Sequence, residues 1–101
     1  MRRGTTPTLK FTTPYAASLI QGGFVTFVQR GSIVIEKSLS DKSVTISDQM
    51  ISVELTQSET LLLTTADRCK AQVRVILSTG KRAASNVVEI PVCEILKEGE
   101  I

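Results

Sequence analysis

Histidine and tryptophan are absent from the 101 residues, and only four side chains are aromatic. Without histidine the chain lacks the usual general base and the commonest metal ligand. Without tryptophan it lacks the best stacking platform for bases or sugars. Cysteine is scarce: Cys69 and Cys93 are the only two, and neither a C-x-x-C nor a C-x-x-H spacing occurs. No metal or other cofactor is expected. Charge is nearly balanced, with 12 basic and 10 acidic residues for a net +2. The basic residues are scattered, Arg2-Arg3 and Lys81-Arg82 being the only adjacent pairs. Neutralising phosphates needs several cations close together, so nucleic acid is not an expected partner. Long hydrophobic runs are missing as well. Leu61-Leu62-Leu63 is far too short to span a bilayer, and Gly4 to Pro7 follows Met1-Arg2-Arg3 where a signal peptide would turn apolar. The expectation is a soluble chain without a membrane partner.

What remains is β-branched. Val, Ile and Thr number 31, and such side chains pack well on a pleated surface but lose rotamer freedom in helices. At 11.0 kDa there is room for one domain, residues 1–101, with an extended arm at 1–7 and a tail at 95–101. Turn signals recur about every ten residues between short alternating runs, the spacing of a sandwich or barrel. The runs are Thr8 to Thr13, Phe24 to Arg30, Ile33 to Ser38, Val44 to Ile46, Met50 to Leu55, Cys69 to Ser78 and Arg82 to Glu94. Gly22-Gly23 is read as opening the second run, Gly31-Ser32 as a two-residue hairpin loop, and Ser78 to Lys81 as another. Thr56-Gln57-Ser58-Glu59 fits a capping box, which predicts one helical turn near 56–62 carrying the chain between sheets. Pro91 argues for an edge strand or a break in the last run. The predicted fold is all-β, an antiparallel immunoglobulin-like sandwich of about seven strands.

Alternation assigns faces. Ala71, Val73, Val75 and Leu77 point inward with Cys69, against Lys70, Gln72 and Arg74 outward. Phe24, Thr26 and Val28 oppose Val25, Phe27 and Gln29. Cys93 falls on the opposite parity from Val88, Ile90 and Val92, so the two sulfurs point to different faces and unpaired thiols are expected. Asp41, Asp48 and Asp67 are isolated and sit where turns want a side chain that bonds the backbone two residues on. No carboxylate pair, activated nucleophile or phosphate-cradling loop emerges, so neither an enzyme nor a small-molecule substrate is expected.

The ends carry more. The basic arm offers Arg2 and Arg3, and the tail alternates Glu94, Glu98 and Glu100 with apolar Ile95, Leu96 and Ile101. A finished sandwich does not require those apolar anchors. Arg2, Arg3, Ile95, Leu96, Glu98, Glu100 and Ile101 are the candidate partner-binding residues, for a neighbouring subunit or an exposed strand edge. A free-standing carbohydrate or adhesion module is the rival binding class, and Tyr15 is the one aromatic placed to serve it from a loop.

Several segments carry a resemblance. Arg3-Gly4-Thr5-Thr6-Pro7-Thr8-Leu9-Lys10-Phe11 and Phe24 to Gln29 followed by Ile33 to Lys37 resemble small structural proteins of tailed phages and prophages of Gram-positive bacteria. Ile51 to Leu61, and Gln72-Val73-Arg74-Val75 with the Thr79-Gly80-Lys81 turn, are similar to a strand-then-turn segment and a closing hairpin of those proteins. The same order of elements resembles the amino-terminal immunoglobulin-like domain of phage baseplate upper proteins. The chain departs from that pattern in stopping after one domain, without the long carboxy-terminal extension. The resemblance implies a non-enzymatic virion module, made in the bacterial cytoplasm and residing in the tail or baseplate. It implies docking to other virion structural proteins, with a homo-oligomer among the expected assemblies. A capsid-surface decoration protein is the alternative.

Overall fold

The alternating runs pair into two antiparallel sheets, described for residues 1–85 and 87–101 by a computed structural model. The smaller sheet joins β1 (Thr8–Thr12), β5 (Met50–Glu54) and β4 (Val44–Ser47), in that order. The larger runs β3 (Ser32–Ser38), β2 (Ile20–Gln29), β6 (Cys69–Leu77) and β7 (Arg82–Ala84), with β8 (Val88–Ile90) also on β6. These orders reproduce the B-E-D and C′-C-F-G arrangement of an immunoglobulin-like sandwich. Apolar faces of both sheets meet in one core, where Phe27, Ile51, Leu55, Val25 and Val53 are fully buried. The inward set predicted for β6 is buried throughout.

The capping box forms as expected. Thr56 Oγ1 accepts the Glu59 amide at 3.2 Å, and Glu59 Oε1 accepts the Thr56 amide at 2.8 Å. It starts α1 (Gln57–Leu61), a short helix that carries the chain from β5 in one sheet to β6 in the other.

Three local readings are corrected. The first hairpin loop is Arg30-Gly31 rather than Gly31-Ser32, because Gln29 pairs with Ser32 and both loop residues take positive φ, 53° and 76°. That is the twist a two-residue turn needs to match its strands. The final run is not one strand. It divides into β7 and β8, whose pairings with β6 differ by one residue, Arg74↔Ala84 against Ala71↔Val88. Ser85 fills the gap, its hydroxyl accepting the Val73 amide at 3.0 Å; Asn86, inside the predicted run, lies outside the described residues. Gly22-Gly23 does not open β2 but lies within it, after a 3-10 turn at Ala17–Leu19.

Gly23 shows why glycine stands there. At φ 150°, a β-carbon on it would lie 1.9 Å from the Arg74 carbonyl oxygen of the paired strand. Gly22 has nothing within 4 Å of that position. Gly23→Ala is therefore expected to cost about 2–4 kcal/mol, since the β2–β6 ladder must open, and Gly22→Ala under about 1 kcal/mol. Urea unfolding of the two variants checks this, and equal losses would contradict it.

Candidate docking surfaces

The arm and the tail meet on the body of the sandwich. Arg2 and Cys93 form a parallel bridge, with the Arg3 amide donating to the Cys93 carbonyl at 3.1 Å and the Cys93 amide to the Met1 carbonyl at 2.7 Å. The Arg3 guanidinium does most of the fastening. It donates to the Leu63 carbonyl at 2.6 Å and the Leu61 carbonyl at 3.0 Å, and pairs with the Glu98 carboxylate. Arg2 donates to the Glu94 carbonyl at 2.6 Å. Helix α1 supplies the remaining contacts: Gln57 bonds the Gly4 carbonyl and the Ile101 amide, each at 3.0 Å, and Ser58 bonds Glu100. Ile95 lies against Gly4, whose missing β-carbon would come 2.9 Å from Ile95 Cδ1.

So the structure sorts the seven predicted residues into two groups. Arg2, Arg3, Ile95, Glu98 and Glu100 hold arm, tail and α1 together within the chain. Leu96 and Ile101 touch little of it, at 100% and 104% exposure. Removing residues 97–101 takes away only contacts at the surface, which hold in water for under about 1.5 kcal/mol in total. The melting temperature of that truncated chain is expected to fall by a few degrees at most in a calorimetric scan. A collapse of the transition would mean that the tail supports the core.

Next to this clasp is a buried cation that sequence reasoning missed. Lys37 points inward from β3 at 6% exposure. Its ammonium donates to Ser43 Oγ at 2.7 Å and the Glu54 carbonyl at 2.9 Å, and pairs with Glu59 at 2.9 Å. The parity of Ile35, Lys37 and Leu39 was the available signal, since both neighbours of the alternation are core residues. Burial works against the Glu59 carboxylate, but the Thr56 amide and the Lys37 ammonium outweigh it and hold its pKa below the ordinary 4.5. Ser43 in turn bonds Asp41, whose pKa is lowered first by the Ser43 amide and then by its hydroxyl. This is the turn-stabilising role expected of Asp41.

Gln29, on the same face of β2 as the buried Val25 and Phe27, is itself buried and fully engaged. Its amide nitrogen donates to the Thr64 and Asp67 carbonyls at 2.8 and 2.9 Å, and its oxygen accepts the Thr64 amide at 2.9 Å. Both cysteines are free thiols, Cys69 buried and Cys93 exposed, and burial pushes the Cys69 pKa up. Among the described residues no three Cys, Asp or Glu side chains converge to hold a metal, and no helix is long and apolar enough to cross a membrane.

Two of the concave features have largely apolar linings. An apolar cleft of about 120 Å³ opens between the sheets at their β1 and β7 edges, lined by Phe11, Tyr15, Ile51, Val73, Val75 and Ala83. Tyr15, in the loop after β1, is thus half-buried against the core and not presented to solvent. The exposed aromatic is Phe24, on the outer face of the larger sheet. Beside it lies an open notch of about 200 Å³ formed by Gly23, Phe24, Arg74, Val75, Ile76 and Arg82. No protein-family model, curated protein or solved structure matches this chain.

Proposed function

We propose that the chain is a non-enzymatic structural module of a phage particle, placed in the tail or baseplate and acting by docking to other virion proteins. The observation that carries the docking role is the number of large apolar side chains left bare on a finished sandwich, among them Phe24, Ile33, Leu62, Leu96 and Ile101. A core that is complete without them has no internal use for them, whereas a neighbouring protein does. The segment resemblances to tailed-phage structural proteins supply the particle. Repeated weak contacts on a symmetric assembly sum to firm attachment, so each copy needs only a small docking patch.

The test is cross-linking in a lysate of the encoding bacterium after prophage induction, with a tag on an exposed loop such as Thr79-Gly80. Cross-links to tail or baseplate proteins are the expected result. Cross-links to a capsid shell would move the module to a decoration role. Capture of metabolic enzymes alone would overturn the virion assignment.

A further inference from the structure

We infer that the Phe24 notch is the acceptor for the tail of a second copy of this chain, so that copies join head to tail. This deepens the docking role proposed above by naming one of its partners. The notch has an apolar floor, with Phe24 half-exposed, and is flanked by the guanidinium groups of Arg74 and Arg82. Among the described residues neither arginine forms an ion pair. The tail offers the complement. Leu96 is wholly exposed and stands two residues from Glu94, while Glu98 and Glu100 are engaged by Arg3 and Ser58. Among the described residues Glu94 forms no ion pair. An apolar side chain beside a free carboxylate thus faces an apolar notch beside guanidiniums, a pairing that fixes register as well as affinity.

The geometry requires the partner to be another molecule. Arm and tail sit where Ile90 pairs with Cys69, at the start of β6, whereas the notch lies beside Arg74 to Ile76, toward its far end. Seven residues along a strand from Cys69 to Ile76 cover ~23 Å. Leu96 is three residues beyond Cys93, whose amide and carbonyl are held by the arm, so it reaches at most ~11 Å from there. A chain cannot fill its own notch. Donor and acceptor lie toward opposite ends of a molecule 47 Å long, which makes the contact heterologous: copies either close into a ring or extend as a filament.

Sedimentation velocity on the full chain tests this, with variants that each spoil one half. The native chain is expected to associate with rising concentration, and less so in high salt. Phe24→Ala and Leu96→Ser are expected to weaken association roughly tenfold or more while the melting temperature falls by a few degrees at most. Arg82→Glu and Leu96→Asp each block it alone. Mixed 1:1 they give a dimer and nothing larger, because Arg82→Glu keeps an intact tail and Leu96→Asp an intact notch, while the two spoiled halves bring like charges together. A native chain that stays monomeric at every concentration overturns the inference, as do variants that associate like the native chain or a mixture that stays monomeric. Such a monomer still cross-linked to tail proteins in the lysate would sink only the contact between copies and leave the virion role standing.

Discussion

Phe27→Ala is expected to cost about 3–5 kcal/mol, whereas Phe24→Ala, three residues earlier in the same strand, costs under about 1 kcal/mol. The two rings lie on opposite faces of β2. Phe27 is fully buried against Ile35 and Ala71 on the neighbouring strands, and Phe24 stands half in water on the outer face. Truncating Phe27 removes a large apolar side chain and leaves a cavity at the middle of the larger sheet. For a domain this size the whole margin is about 5–10 kcal/mol, so the variant is expected to be largely unfolded at moderate urea. Equilibrium urea titration reads both variants. Equal losses, or a greater loss at Phe24, would mean that the faces of β2 are exchanged and that the docking notch is part of the core.

The second large effect lies at Lys37 and Glu59. Glu59→Leu is expected to cost about 2–4 kcal/mol, since it strips a capping partner from α1 and leaves a buried ammonium short of its counter-charge. Lys37→Met costs less, about 1–2 kcal/mol, because the remaining Glu59 carboxylate stays partly in water and keeps its Thr56 bond. The double variant is expected to fall at least about 1 kcal/mol short of the summed single losses, since the stranded charge disappears with its partner. Strict additivity in the cycle would show that the pair contributes nothing. The pH dependence follows from the lowered Glu59 pKa. A carboxylate held below its unfolded value stabilises fully above about pH 4.5, and the contribution is lost as pH falls through the folded-state value. The native chain should therefore lose stability below pH 4.5 more steeply than Glu59→Leu does. Parallel acid limbs would contradict this.

Where a residue's role was set by its own strand or turn, it could be read in advance. The alternation of Ala71, Val73, Val75 and Leu77 named the buried face of β6, and the Thr56–Glu59 spacing named the helical crossing. Asp41 followed from turn chemistry, whereas parity grouped Gln29 with Val25 and Phe27 without telling which face of the strand is buried. Roles set by a distant segment were not legible. Gly22-Gly23 looks like a turn, but the requirement on Gly23 comes from the Arg74 carbonyl, some fifty residues away in sequence. Arg3 and Glu98 look like opposite free ends, and only the folded chain shows them paired over the Leu61 and Leu63 carbonyls. The parity of Lys37 with Ile35 and Leu39 hints at its burial, but its three partners from the 40s and 50s come together only in the folded chain. The Phe24 notch needed β2, β6 and β7 side by side before its two arginines shared a rim.

The proposed role makes this sandwich a building block of a phage particle. Quantitative mass spectrometry of gradient-purified particles, induced from the encoding bacterium, puts that role to the test. A structural module should be present in a fixed ratio to the tail proteins, at several copies per particle, and should persist through repeated washing at physiological salt. Its absence from intact particles, with the full amount in the particle-free fraction, would contradict the claim.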